Sequence, residues 1–223
     1  MRNQFDVEMD KLHTMMIEMG VLCESGIASA VKALTEHTRN DALAAIELKD
    51  QSVRKGREIE QLCHSLLLRQ QPVARDLRMV SASVKMVTDM ERIGNQASDI
   101  AEIALLCHLP SDECLNTVKK MSAACAGMVT NCIDAYVHHD ITLAYKLIRD
   151  DDIVDDYFDE ARQALKRIIS RKSELTEGDI DLLMVAKYLE RIADHAVNIA
   201  DWVIFIETTE RTRKGEVYEN LSC

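Results

Sequence analysis

Only two prolines and seven glycines occur in the 223 residues, and aromatic side chains make up just 4% of the chain. Proline removes a backbone donor and glycine costs backbone entropy, so a chain of this length with so few of them carries few breaks. A turn-rich β protein is disfavoured. Strands prefer β-branched and aromatic residues, whereas here Ala, Leu, Met, Glu, Lys and Arg abound. Basic charge is also in deficit, with 27 Lys and Arg against 38 Asp and Glu and a formal net charge of −11. Nucleic acid and anionic lipid both require a basic footprint, so neither is an expected partner. A metal cation or a basic protein surface would be attracted.

Other absences narrow the field further. No apolar run reaches the ~18 residues of a membrane span, so no membrane insertion is expected. The opening residues MRNQFDVEMDKL lack the apolar centre of a signal peptide. The seven cysteines (Cys23, Cys63, Cys107, Cys114, Cys125, Cys132 and Cys223) are odd in number and form no CxxC. This pattern predicts a reduced, cytoplasmic protein with free thiols. Cys125 and Cys132 share a helical face as small buried residues. GxxxxGK, GxGxxG, HExxH and GxSxG are missing, as is any ExxH pair of the di-iron bundles. No nucleophile has an evident base, so the chain does not read as an enzyme.

What is present is a helical core. Hydrophobic residues make up 47% of the chain, and helical punctuation divides it into six segments. The first runs from Asp6 to about Glu36, with Leu12, Ile17, Val21, Leu22 and Ile27 near helical spacing. Asn40 or Asp41 caps the second, which carries Ile46, Val53, Ile59, Leu62 and Leu66. Pro72 opens the third, which ends near Cys107. Pro110 and Ser111 start the fourth. Asp140 caps the fifth, and Thr176 caps a sixth that reaches about Glu207. The tail from Arg211 to Cys223 reads as frayed. Segments of roughly 25–35 residues with short connections predict antiparallel neighbours in a bundle. The Met-rich first segment reads as core or interface, and the first and fourth segments suggest a homodimer face.

An internal repeat organises these segments. Glu91-Arg92-Ile93-Gly94-Asn95-Gln96-Ala97-Ser98-Asp99-Ile100-Ala101-Glu102 matches Glu190-Arg191-Ile192-Ala193-Asp194-His195-Ala196-Val197-Asn198-Ile199-Ala200-Asp201 at six of twelve positions. The fifth segment echoes the second, with Ile46, Asp50 and Val53 set against Leu147, Asp151 and Val154. The predicted fold is all-α, two pseudo-symmetric three-helix bundles over residues 1–109 and 110–210, followed by a tail over 211–223.

The repeated segments also carry the candidate chemistry. At about 100° per residue, Glu91, Asn95, Asp99 and Glu102 share one face, opposite Ile93, Ala97, Ile100 and Ala104. Glu190, Asp194, Asn198 and Asp201 do the same on the sixth segment. Asp151, Asp155 and Asp159 line one face of the fifth. Carboxylates crowded between antiparallel helices repel one another and raise one another's pKa. A hard cation such as Mg²⁺, Ca²⁺ or Mn²⁺ relieves that repulsion, and iron also suits such oxygens. The simpler reading is a solvated helix face, although Glu190–Asp194 is a like-charge i,i+4 pair and mildly destabilising. His195 reads as a surface histidine, Glu60 and His64 as a surface pair, and His138-His139 as a helix-end pair suited to the macrodipole. Trp202 reads as a packing anchor. A metal-dependent hydrolase or redox enzyme on a bundle is the alternative these carboxylates leave open.

The segment Arg69-Gln70-Gln71-Pro72-Val73-Ala74-Arg75-Asp76-Leu77-Arg78, leading into Glu91-Arg92-Ile93-Gly94, closely resembles the PhoU family. So does Tyr188-Leu189-Glu190-Arg191-Ile192-Ala193-Asp194-His195-Ala196-Val197-Asn198-Ile199-Ala200. The likeness extends over essentially the whole chain. It implies a cytoplasmic negative regulator of phosphate uptake and phosphate-starvation signalling. Such a protein links the ATPase subunit of the phosphate transporter to a sensor histidine kinase. The resemblance also implies metal on paired E/DxxxD motifs, with Fe, Mg, Mn, Zn or Ca all conceivable. Carried onto this chain, Asp151 and Asp155 with Glu190 and Asp194 form the full set. In the first repeat the set is Asp50, Glu91, Asn95 and Asp99, degraded by Arg54 and by Asn95. Unequal sites are therefore expected, the second repeat being the stronger.

Overall fold

A computed structural model describes residues 2–106, 113–171 and 176–211. Six α-helices make up the described fold: α1 (Arg2–Glu36), α2 (Arg39–Gln70), α3 (Ala74–Leu106), α4 (Glu113–His138), α5 (Ile141–Arg171) and α6 (Glu177–Thr208). No strand occurs among the described residues. The first three helices pack on one another, as do the last three, and the two triplets meet chiefly along α3 and α6. A second, smaller contact joins α1 to α4. Within each triplet, short connections force each helix to return antiparallel on its predecessor, which buries the apolar stripes inward.

The helix ends follow local chemistry. Asp140 accepts a hydrogen bond from the backbone N–H of Leu143 at 3.0 Å, as its capping role requires. Thr176 and Asp179 form a reciprocal capping box at the start of α6. Thr38, rather than Asn40 or Asp41, takes the N-cap place of α2, with its hydroxyl bonded to Asp41. Pro72 does not open α3. Gln71 and Ala74 both adopt left-handed backbone, with φ of 47° and 50°, so the proline lies in the turn and the helix begins at Ala74. The expected start at Pro110 and Ser111 lies outside the described residues, as do Cys107 and Cys223. Of the expected frayed tail, Arg211 is instead pinned: its guanidinium reaches Asp201 at 2.7 Å and lies 3.9 Å from the Trp202 ring centroid. Residues 212–223 lie outside the described part.

The repeat has a definite register. In α1 the buried residues Met16, Met19, Cys23, Ile27, Ala30 and Leu34 correspond, 102 residues on, to buried Val118, Met121, Cys125, Val129, Cys132 and Tyr136. Cys23 donates its thiol hydrogen to the Met90 carbonyl and Cys125 to that of Leu189, each at 3.3 Å. The same displacement of 102 carries Ala42, Ala45, Ser52, Ile59 and Cys63 of α2 onto buried Ala144, Leu147, Val154, Ala161 and Leu165. The third helices correspond at 99: Met90, Ile93, Ala97 and Ile100 match Leu189, Ile192, Ala196 and Ile199.

This corrects the pairing of Asp50 with Asp151, which assumes a displacement of 101. At that displacement the buried face of α2 would fall on Lys146, Ile153 and Glu160, all exposed. A one-residue slip rotates a helix by about 100°, enough to exchange its buried and exposed faces. Lys49, not Asp50, therefore stands where the second triplet has Asp151, and Val53, not Arg54, stands where it has Asp155.

Among the described residues, α1 is the single helix long and apolar enough to cross a membrane by length and composition. Its apolar face, including Leu12, Met16, Met19 and Ile27, is packed into the core.

Candidate functional site

The second triplet brings its acidic residues onto facing helices. Asp151 is 1% exposed and borders Cys125. Burial raises that thiol well above its ordinary value, and the Asp151 charge adds to the rise. Cys125 also sits against the Ala193 backbone of α6, so Asp151 lies level with that turn of α6. Two turns along, Phe158 of α5 meets Lys187 of α6, the ammonium 5.3 Å from the ring centroid. The antiparallel register between these two points puts Asp155 level with Glu190, and Asp151 level with Asp194. Asp155 and Glu190 are half-buried, whereas Asp194 is exposed. Asp159 points outward and pairs with Arg162 at 3.4 Å.

Lys187 forms an ion pair with Glu190. Its side chain is 40% exposed and that of Glu190 18%, so the lysine covers the carboxylate from the solvent side. The oxygen donors have the chemistry a hard cation prefers, but an ammonium already stands beside Glu190. Among the described residues no group of three or more His, Cys, Asp or Glu side chains comes together to hold a metal ion.

The first triplet does not fit a metal. Glu91 lays its carboxylate against the α2 backbone at Gly56, where an added Cβ would lie 2.2 Å from its Oε1. Only a residue without a side chain allows that approach. Burial raises the Glu91 carboxyl above its ordinary value, Glu60 adds to the rise, and Arg57 opposes it. Burial and Glu102 raise the Asp99 carboxyl, while Lys49 and Arg191 oppose them. Asn95 is half-buried on the same helix, but Asp50 is exposed. Arg54 lines a cleft with Glu18, Leu22, Gln51, Lys55 and Glu58, on the side of α2 facing α1. It therefore does not enter the α2–α3 face, in contrast to the role expected for it.

Polar side chains among the described residues also join the triplets. His195, read from sequence as a surface histidine, lies instead at the α3–α6 seam. Its Nδ1 is 2.9 Å from Oδ1 of Asp89, and Asn198 donates to the same oxygen at 3.3 Å. The signal in the sequence was Asp89 itself, an acid set among the core positions Met86, Val87, Met90 and Ile93. At one end of the seam, Arg75 forms two hydrogen bonds to Glu207, at 2.6 and 3.1 Å, and Arg78 donates to the Ile206 carbonyl at 2.9 Å. His139 approaches the same Glu207 at 3.2 Å. These arginines belong to the motif around Pro72, and only the folded chain shows that they reach across to α6.

Comparison with known proteins gives a consistent result. The family model described as PhoU domain matches residues 16–104 and 118–203, one match for each triplet. A Synechocystis relative named phosphate-specific transport system accessory protein PhoU homolog is 33% identical, the match covering 94% of each chain. The crystal structure of PhoU from Pseudomonas aeruginosa superposes with a TM-score of 0.88 at 31% identity, covering 92% of this chain and 100% of that one. A Streptococcus pneumoniae structure described as the phosphate transport system regulatory protein PhoU shares the fold, with a TM-score of 0.87 at 23% identity, over 94% of this chain and 99% of that one.

Proposed function

The chain belongs to the PhoU family, and on that basis we propose that it is an accessory regulator of a phosphate-specific transport system. It acts in the cytoplasm by binding other proteins rather than by catalysis. Its partners are the ATPase subunit of the transporter and a phosphate-sensing histidine kinase, both of which it restrains when phosphate is ample. It works as a homodimer.

One observation carries this reading: family similarity runs through both triplets, and a relative named as an accessory protein matches this chain over 94% of both lengths. An extended helical exterior, such as the faces of α2 and α5 on opposite flanks, gives a binding protein broad surfaces to present.

Gene deletion tests the reading directly. It should raise phosphate uptake and switch on phosphate-starvation genes in phosphate-replete medium, and wild-type protein should reverse both effects. Affinity capture with the tagged full chain should retain the ATPase subunit and the kinase. Unchanged uptake and gene expression after deletion would reject the regulatory role. Capture of neither protein would reject the adaptor role.

A further inference from the structure

The two acidic faces differ in sequence, yet each is supplied with positive charge from the chain itself. We infer that lysine and arginine side chains, with Lys187 foremost, take the place of a metal cation on the acidic faces of this chain. The inference goes beyond the regulatory reading and does not depend on which partner the protein binds.

Lys187 stands three residues before Glu190 on α6. A lysine three residues before a glutamate is an ordinary pair on a helix surface. Two features set this one apart. Glu190 is largely covered, at 18% side-chain exposure, so its charge has lost much of its water and requires a counter-charge. The lysine is also held from the neighbouring helix, with its ammonium 5.3 Å from the centre of the Phe158 ring. An aromatic face attracts a cation and restricts where the long side chain swings. Phe158 and Lys187 thus form the turn adjoining the level of Asp155 and Glu190. The ammonium reaches Glu190 from there and occupies the side from which an ion would approach.

The first triplet reaches the same end with different residues. Phe158 corresponds to Gly56 and Lys187 to Thr88, so neither the ring nor the lysine is present. Glu91 folds instead into the notch at Gly56, where Arg57 lies within electrostatic reach. The position of Asp151 is held by Lys49, which faces Asp99 together with Arg191 from the other triplet. A carboxylate in one triplet has become an ammonium in the other, so the local charge sum moves towards neutrality without any ion. Both faces keep carboxylates on the third helix and offset them with protein cations. Such an arrangement weakens the electrostatic drive for a divalent ion.

The test uses the full chain, purified without chelator. Elemental analysis should find well under one Fe, Zn or Mn per chain, and EDTA should leave the wild-type unfolding temperature unchanged. Lys187→Met removes the charge and keeps most of the stem, whereas Lys187→Arg retains a cation. Titration with Mn²⁺, read by electron paramagnetic resonance, should give about tenfold tighter binding to K187M than to wild type, with K187R like wild type. Stoichiometric co-purified metal, or a fall in wild-type unfolding temperature with EDTA, would overturn the inference. Equal Mn²⁺ affinity of wild type and K187M would overturn it too. Should K187M fail to fold, the wild-type metal content and chelator response still decide.

Discussion

At the scale of single residues, the decisive groups are charged side chains placed where a helix has no water to offer. Asp89 is the clearest case. Its side chain is 11% exposed and that of His195 14%, and the pair bridges two helices of different triplets. Replacing His195 by Ala leaves the acid with Asn198 alone. A buried polar group that loses its partner costs about 1–3 kcal/mol. H195A should therefore lower the free energy of unfolding by that amount in urea denaturation, and H195Q, which retains a donor, should recover part of it. Sequence marked this site only faintly. Asp89 was visible as an acid on an apolar stripe, but His195 lies beside Asp194 on a helix whose polar side looks solvated. Its burial is a property of the α3–α6 pairing, which no local pattern encodes. The carboxylates Asp151, Asp155, Glu190 and Asp194 were legible by spacing. Lys187 and Lys49 were not, because a lysine's reach depends on the element opposite.

At the scale of elements, helix packing turns on close approaches. Gly20 of α1 meets Ile133 of α4, and an added Cβ would fall 2.9 Å from both Cγ1 and Cγ2 of that side chain. Ile133 is β-branched, so these atoms have little freedom to move aside. Gly20→Ala would gain about 1 kcal/mol of helix propensity but incur about 1–3 kcal/mol of overpacking. The expected outcome is a net loss of roughly 1 kcal/mol by chemical denaturation.

The junction of α4 and α5 adds a pH dependence. Burial lowers the His139 pKa below its ordinary value, Arg75 lowers it further, and Glu207 opposes them; His13 and His138 add smaller lowering effects. As pH falls, the unfolded chain, with an ordinary histidine pKa near 6.5, takes up the proton first. The stability contributed by neutral His139 is thus fully present above about pH 6.5 and is lost as pH falls through the folded value. Thermal melts of wild type should show a decline between about pH 7 and 5 that H139Q flattens. Helix existence and order were legible from punctuation, as Asp140 and Thr176 show. The α2–α5 register was not. Acidic similarity favoured a displacement of 101, and only burial distinguishes it from 102.

At the scale of the whole molecule, the two triplets are copies by sequence but one body by packing. α3 and α6 pack on one another along the seam, where Asp89 and His195 are largely buried. Each triplet alone would expose this seam to water, at a cost that scales with the apolar area uncovered. Unfolding should therefore proceed as one transition, with calorimetric and van't Hoff enthalpies in agreement. Two resolved transitions in the full chain would refute that coupling.

The contact between α1 and α4 is less complete than the α3–α6 seam. His13 stacks on Tyr136 with ring centroids 5.4 Å apart, and Gly20 is pressed against Ile133. Farther along, the helices part around a groove of about 260 Å³ bordered by Ile27, Val31, Ser122 and Ala126. A Cβ added at Gly127 would touch nothing within 4 Å. Two blocks fastened along one whole edge and only part of another behave like a book bound at the spine. Their easiest relative movement is a slight opening of the covers, and the free margin between α1 and α4 is where such a movement travels farthest.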